Sequence, residues 1–261
     1  MNVLVFLSGI VDTKWPLPSA LDVATLAAQR AAHPVLSPFD EAALESALKL
    51  RDVDPLTHIT VIVGAASRDD PLLRHVAGFR IDRLLGFELA RWPAWDAAAL
   101  ARALDGAVQA LDKSPHLLLI GREFGDLDDG TLPATLAETL GVPFASLVLA
   151  LTATEDGTFA LRQHGATQEH LQLPVPALAA VTNHSRNRLR HPLLKNVMAA
   201  RKMSFDLQEL SDDSHAAALR LDRVTATVAP AREAACRMLA GGLEAQAEAL
   251  ARLLLAPRVA A

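Results

Sequence analysis

The alternation of short apolar runs with helical patterns limits the folds open to this chain more than any other feature. Four runs rich in leucine, isoleucine and valine occupy residues 2–7, 58–63, 82–87 and 116–120. Such runs are typical of buried parallel strands. Helical patterns lie between or after them, over residues 38–51, 70–77, 94–112 and 131–140. Strand alternating with helix predicts an α/β fold with a doubly wound, mainly parallel sheet.

The chain changes character after this alternating part. Residues 145–182 contain strand-like runs and an Asp156-Gly157 turn signal without a helical pattern, which predicts an antiparallel extension of the sheet. Residues 204–228 have little periodicity and predict an extended arm. An Ala/Leu/Glu stretch over 230–255 predicts a long helix with a kink at Gly241-Gly242. We therefore divide the chain into an α/β domain, 1–203, and an arm with a C-terminal helix, 204–261.

Composition removes several classes of function. The 30 acidic against 25 basic residues give a formal charge of −5, which argues against a general nucleic-acid binder. The single cysteine, Cys236, cannot form an internal disulfide or a cysteine metal cluster, which fits a reducing compartment. No apolar run approaches the ~20 residues that span a bilayer, so we expect no membrane insertion and a cytoplasmic location.

The segment Ser37-Pro38-Phe39-Asp40-Glu41 has the composition of a well-capped helix start, with a capping serine, proline at the first helical position and acids in the first turn. Capping explains most of this pattern. Phe39 also suits a second role, because an aromatic side chain at a helix start beside strand ends can touch a ligand at the carboxyl edge of the sheet.

Two loops are candidates for binding phosphate. Residues 8–13 weakly resemble the S-G-G-x-D-S loop of ATP pyrophosphatases, but Ile10 replaces the second glycine. Residues 121–131 open a helix near Thr131, where free N–H groups favour an anion. The acids at 126, 128 and 129 oppose a phosphate and could satisfy the helix start themselves, so phosphate binding and acidic capping remain equal alternatives.

No constellation for catalysis or metal binding emerges. Four histidines fall in no recognised ligand spacing: His164, His170, His184 and His191. A Ser-His-Asp or Cys-His arrangement cannot be assembled with any specificity. We therefore expect no catalytic residue and no metal site.

Taken together, residues 2–7, 37–50, 121–131 and 182–198 resemble, in order and spacing, the β subunit of electron transfer flavoproteins. The resemblance spans nearly the whole chain, and 37–50 is its most specific part. It implies an adenine nucleotide alpha hydrolase-like fold and a heterodimer whose α subunit holds most of a redox FAD. The β subunit would hold AMP, or a second FAD in electron-bifurcating members, and would be an electron carrier rather than an enzyme.

The resemblance also implies which residues would bind cofactor. By position these are Phe6, Ser37, Pro38, Phe39, Asp40, Val63, Gly64, Gly121, Asp126, Asp129, Gly130, Thr131 and Leu132. The last part of this loop departs from the family, since three side chains that contact phosphate are replaced by Gly130, Thr131 and Leu132. Each lost bond costs roughly 0.5 to 3 kcal/mol, so backbone N–H groups would hold AMP more weakly.

The resemblance further implies a loop that docks a flavin-dependent dehydrogenase, which in the family uses an exposed leucine. The corresponding residues are His184, Arg186, Arg188, Leu189 and Arg190. Because residues 183–188 offer cations and no apolar anchor, we expect a dedicated partner with an acidic surface. A solvated basic loop without a recognition role is the alternative.

Two other functions remain open. One is a nucleotide-hydrolysing or adenylating enzyme of the same fold that uses Ser8 to Asp12; Ile10 and the lack of a matched base or metal cluster stand against it. The other is a nucleotide-free scaffold subunit that keeps the fold and the α partner only.

Overall fold

The computed structural model describes residues 1–16, 28–29, 31–88, 95–208 and 238–255. The chain divides into two compact units, Met1–Val224 and Thr225–Ala261. Among the described residues of the larger unit, the strands are β1 (Asn2–Leu7), β2 (Ile10–Val11), β3 (Pro34–Val35), β4 (His58–Ala65), β5 (Arg83–Glu88), β6 (Leu117–Gly121), β7 (Phe144–Thr154), β8 (Gly157–His164), β9 (Thr167–Leu173), β10 (Ala177–Val181) and β11 (Leu207–Gln208). Its helices are α1 (Pro38–Val53), α2 (Pro71–Ala77), α3 (Ala97–Gln109), α4 (Thr131–Leu140) and α5 (Leu194–Ala200), with a 3₁₀ helix at Ser185–Asn187.

The central sheet has the order β11-β5-β4-β1-β6-β10-β7-β8-β9. All its pairings from β11 to β7 are parallel. The chain first moves outward from β1 through β4 to β5 and then crosses to β6 on the other side of β1, which is the doubly wound arrangement. In such sheets ligands bind at the carboxyl ends of the two strands where the order reverses, here β1 and β6.

Alternate side chains of the parallel strands face two separate cores, which explains why the strands read as continuous apolar runs. Val3, Val5 and Leu7 of β1 face the core that α1 and α2 cover. Leu4 and Phe6 face the core that α3 and α4 cover. The predicted α/β class with a mainly parallel sheet is therefore confirmed, with helices on both faces.

The extension predicted over residues 145–182 is antiparallel only in part. Strands β7, β8 and β9 pair antiparallel, and β8 begins at the predicted Asp156-Gly157 turn. Strand β10, however, lies between β6 and β7 and is parallel to both. Its five residues are all buried, because they occupy the interior of the sheet rather than its edge.

The C-terminal helix is shorter than predicted. Helix α6 spans Leu243–Leu255, while residues 238–242 are not helical and 230–237 lie outside the described residues. Gly241 has φ +102°, a left-handed backbone that lies outside a helix, two residues before α6 begins. The larger unit also runs past residue 203, since Phe205 is buried and β11 pairs with β5. The arm predicted over 204–228 is otherwise outside the described residues.

Candidate functional site

The candidate site lies at the carboxyl ends of β1 and β6. It consists of the loop after β1 (residues 8–12), the loop after β6 (residues 122–130) and the first turn of α1. The loop after β1 contains β2, which pairs with β3 through Ile10 and Val11. The structure therefore brings together the two loops that the sequence suggested as phosphate binders, at the position where the fold class places ligands.

Asp40 ties the start of α1 to the loop after β1. Its carboxylate accepts N–H groups from Ser8 at 3.1 Å, Gly9 at 2.9 Å and Ser37 at 3.0 Å. The residue is fully buried. Burial raises the pKa of Asp40, and the N–H groups of Ser37, Ser8 and Gly9 oppose that rise. Asp40 is thus an internal organiser of this edge rather than an exposed ligand-binding group.

The predicted helix cap is confirmed. The Ser37 hydroxyl accepts the Asp40 N–H at 2.9 Å, and the reciprocal bond from the Ser37 N–H completes a capping box. Pro38 is exposed and Phe39 is partly exposed. A Cβ on Gly121 would lie 2.7 Å from the Phe39 Cβ, so glycine at the end of β6 allows α1 to approach closely. Phe39 therefore stands at the edge between α1 and β6.

The loop after β6 is held by its own acids. The Asp126 carboxylate accepts the Val11 N–H at 3.2 and 3.3 Å, which links this loop to the one after β1. Asp129 is exposed and accepts the Thr131 hydroxyl at 2.5 Å, and this bond lowers the pKa of Asp129. A backbone hydrogen bond from Thr131, the first residue of α4, contributes to the same lowering.

Asp128 caps the start of α4. One carboxylate oxygen accepts the N–H groups of Gly130 at 3.1 Å, Thr131 at 3.1 Å and Leu132 at 3.2 Å. The other accepts the Phe124 N–H at 2.9 Å. Of the two alternatives left open by the sequence, the structure shows acidic capping. Sequence reasoning noted this acid but did not assign it to the site; three acids in the last residues before a helix were the available signal.

Several predicted cofactor residues lie beneath the edge rather than at it. The Phe6 and Val63 side chains are fully buried, on opposite faces of the sheet. Gly64 lies within β4, opposite Phe87 of β5. Their assignment to a cofactor stays a prediction, and in this structure a ligand at the edge would meet the side chains of neither Phe6 nor Val63.

Contacts inside the protein hold the predicted docking segment, residues 184–190, in place. Asn187 is buried, and its side-chain amide donates to the Leu149 carbonyl at 2.8 Å. His184 accepts the Arg186 N–H at 3.2 Å. Arg186 and Arg188 are exposed. Burial raises the pKa of Glu41 in the first turn of α1, and the positive charge of Arg188 opposes this, so Arg188 acts electrostatically on the candidate site's own helix.

Arg190 is exposed, and it also ties this segment to α1. Its guanidinium contacts Glu45 at 2.8 Å and Asp52 at 2.6 Å, both on α1. Hydrogen bonds to these carboxylates raise the pKa of Arg190, and the bond from Arg190 lowers the pKa of Asp52. Leu189 is partly buried against the α1 core. Of the predicted docking residues, Leu189 and Arg190 therefore hold the segment on α1.

We expect Arg190→Ala to lower the free energy of unfolding by about 1 to 3 kcal/mol, because the nearly buried Glu45 carboxylate would lose the guanidinium and keep only the backbone N–H of residue 190. Urea unfolding of the purified chain measures this. Arg252→Ala is the matched control, since Arg252 pairs with Glu248 in an exposed i,i+4 bridge on α6 and its loss costs about 0.5 kcal/mol or less. Equal effects for the two variants would contradict a structural role for Arg190.

Exposed apolar side chains follow this segment. Leu193 is 60% exposed, Leu194 77% and Met198 48%, all at the start of α5 or one turn into it. The sequence-based search for an apolar anchor ended at Leu189 and missed them. The Pro192-Leu193-Leu194 step was the available signal, because proline commonly precedes a helix start and two leucines there have no helical face to fill.

The described residues contain neither a metal site nor a membrane-spanning helix. No group of three or more histidine, cysteine, aspartate or glutamate side chains there is arranged to hold a metal ion. No helix in the same residues is both long enough and apolar enough to cross a bilayer.

Comparison with known proteins supports the resemblance. Residues 25–213 match the family described as Electron transfer flavoprotein domain. A protein of Syntrophomonas wolfei named Electron transfer flavoprotein subunit beta is 28% identical over 64% of this chain and 65% of its own length. A protein of the same name from Mycobacterium leprae is 26% identical over 81% of this chain and 80% of its own length. The matched region contains α1, the loop after β6 and the docking segment. The chain belongs to the electron transfer flavoprotein family.

Proposed function

We propose that this chain is the β subunit of a heterodimeric electron transfer flavoprotein. It would pass electrons from a flavin-dependent dehydrogenase to an acceptor through an FAD held mostly by the α subunit. The observation that carries the proposal is that one family match, over residues 25–213, covers α1, the loop after β6 and the segment anchored on α1. FAD, when bound, supplies the redox chemistry.

The chain's own part in this function is to enclose and position the cofactor. Phe39 stands partly exposed at the edge, backed by the close approach of α1 to Gly121. Asp40 fixes that first turn against the loop after β1 through three N–H bonds. A rigid apolar group at this edge suits the exclusion of water from a flavin ring supplied by the partner subunit.

The exposed apolar surface of the smaller unit is consistent with a partner subunit. Helix α6 has no buried residue, and its leucines are exposed, among them Leu243 at 85% and Leu254 at 76%. So many exposed leucines on one amphipathic helix are typical of a surface that another chain covers. We assign this surface to the α subunit.

Residues 8–12 do not suit the phosphate-binding loop that the competing enzyme function requires. A phosphate loop needs backbone N–H groups that are free to bind phosphate. Here the Ser8 and Gly9 N–H groups donate to Asp40, and the Val11 N–H donates to Asp126. Residues 8–12 are therefore organised as part of the fold rather than as a nucleotide cradle.

Co-expression with the α subunit encoded by the same organism tests the proposal. We expect a 1:1 complex on size-exclusion chromatography that carries about one FAD, while this chain alone carries none. ATP turnover by the purified chain is the parallel assay. A complex without flavin, or ATP hydrolysis that Ser8→Ala abolishes, would contradict the proposal and favour the enzyme.

A further inference from the structure

The start of α4 is where the resemblance places the phosphate of an AMP or of a second FAD. The backbone N–H groups of this helix start already have an acceptor. The Gly130, Thr131 and Leu132 N–H groups converge on one oxygen of Asp128 at 3.1 to 3.2 Å. The next residue, Pro133, has no N–H. The first turn of this helix therefore offers a phosphate no unoccupied backbone donor.

The charges around this helix start also disfavour a phosphate. Asp126 and Asp129 lie in the same loop as Asp128, so an incoming phosphate would approach three carboxylates. The nearby cation Arg122 lies 3.5 Å from Glu123, which offsets its charge. Like charges this close weaken anion binding, and the helix dipole that would favour the anion already acts on Asp128.

Asp128 competes with any phosphate from a favourable position. Its carboxylate is attached two to four residues from the N–H groups it binds, so its effective concentration at them is high. The Phe124 N–H, which donates to its second oxygen at 2.9 Å, holds the side chain in this orientation. A free nucleotide must displace the Asp128 carboxylate and also overcome the electrostatic repulsion from Asp126 and Asp129.

We propose that the β subunit holds no nucleotide phosphate at the start of α4, because the Asp128 carboxylate takes the place of that phosphate. Neither AMP nor a second FAD fits these residues. This inference rests on the proposed function, since it concerns the β site of the same heterodimer. It makes the FAD of the α subunit the one nucleotide of the complex.

The experiment uses the heterodimer with its bound FAD. Nucleotides released by denaturation are separated and quantified, and AMP is titrated into the intact complex by calorimetry. We compare wild type, Asp128→Ala and Asp129→Ala. The two variants remove the same charge from the same loop, but only Asp128→Ala removes the acceptor that the N–H groups of Gly130, Thr131 and Leu132 share.

For the wild type we expect about one FAD per heterodimer, no AMP and no measurable heat on addition of AMP. Asp128→Ala should bind AMP at least tenfold more tightly than Asp129→Ala. AMP or a second FAD at one per wild-type heterodimer would overturn the inference, as would equal affinities in the two variants. If Asp128→Ala fails to assemble, Asp128→Gly replaces it, because glycine also removes the acceptor and is tolerated at a helix start. Absence of FAD from the complex would instead contradict the proposed function.

Discussion

Replacing Asp40 by alanine should lower the free energy of unfolding by about 3 kcal/mol or more. The variant leaves the N–H groups of Ser8, Gly9 and Ser37 without their acceptor in a buried site, and each unsatisfied buried donor costs about 1 to 3 kcal/mol. It also removes one half of the capping box at the start of α1. Urea denaturation followed by circular dichroism measures the loss.

The control for this prediction is Asp129→Ala, because Asp129 is exposed and its removal should leave the free energy of unfolding nearly unchanged. A loss below about 1 kcal/mol for Asp40→Ala would show that the edge does not depend on this carboxylate. Asp40→Asn provides a second comparison. Its amide can accept some of the same bonds, so it should lie between alanine and the wild type.

The titration of Asp40 gives this prediction a pH signature. Burial raises the pKa of Asp40 in the folded chain above its ordinary value. The folded state therefore binds the proton more tightly than the unfolded state, and stability from this group falls as pH rises from the unfolded pKa through the folded one. Asp40→Asn cannot titrate. The wild type should therefore lose stability relative to Asp40→Asn across that interval, and parallel curves would contradict the raised pKa.

The second large effect concerns the proposed docking of a flavin-dependent dehydrogenase. Leu193 and Leu194 are exposed beside the anchored segment, and burial of such a side chain at an interface is worth about 1 to 2 kcal/mol. We expect Leu193→Ala with Leu194→Ala to reduce the second-order rate of flavin reduction by the dehydrogenase at least tenfold, with little dependence on salt. Stopped-flow absorbance at low and high ionic strength measures this.

A charge variant separates apolar anchoring from electrostatic steering. Arg186→Glu with Arg188→Glu should slow reduction at low salt, and the effect should shrink near 1 M salt, where the Debye length is ~3 Å. Val53→Ala with Leu56→Ala is the matched apolar control, since both side chains are exposed but precede β4, outside the docking segment. If this control slows the reaction as much as the leucine variant, the leucines have no recognition role.

Most of the fold could be predicted from the sequence, because local sequence signals determine where its helices begin. Helix α4 has the predicted bounds, and α1 begins at the predicted Pro38, because proline, serine and acids mark those starts without help from distant residues. The direction of β10 could not be predicted from its own residues. It depends on insertion between β6 and β7, and a buried five-residue apolar strand looks the same in either direction.

The candidate site was predicted less completely, for a physical reason. Strand ends and helix starts locate the edge, but the partner of each N–H group there depends on loop geometry. Asp126, Asp128 and Asp129 look equivalent in sequence, yet one bridges to Val11, one caps α4 and one bonds Thr131. Arg190 likewise reads as part of a basic loop, although Glu45 and Asp52 on a distant helix engage it.

We infer that this chain carries electrons as part of a flavin-containing heterodimer. The most direct measurement mixes the oxidised heterodimer with a reduced flavin-dependent dehydrogenase from the same organism under anaerobic conditions and follows the flavin absorbance. We expect the absorbance of the heterodimer's FAD to decrease, and to return when an electron acceptor is added. A complex whose bound FAD responds to dithionite but neither to the dehydrogenase nor to the acceptor would contradict it.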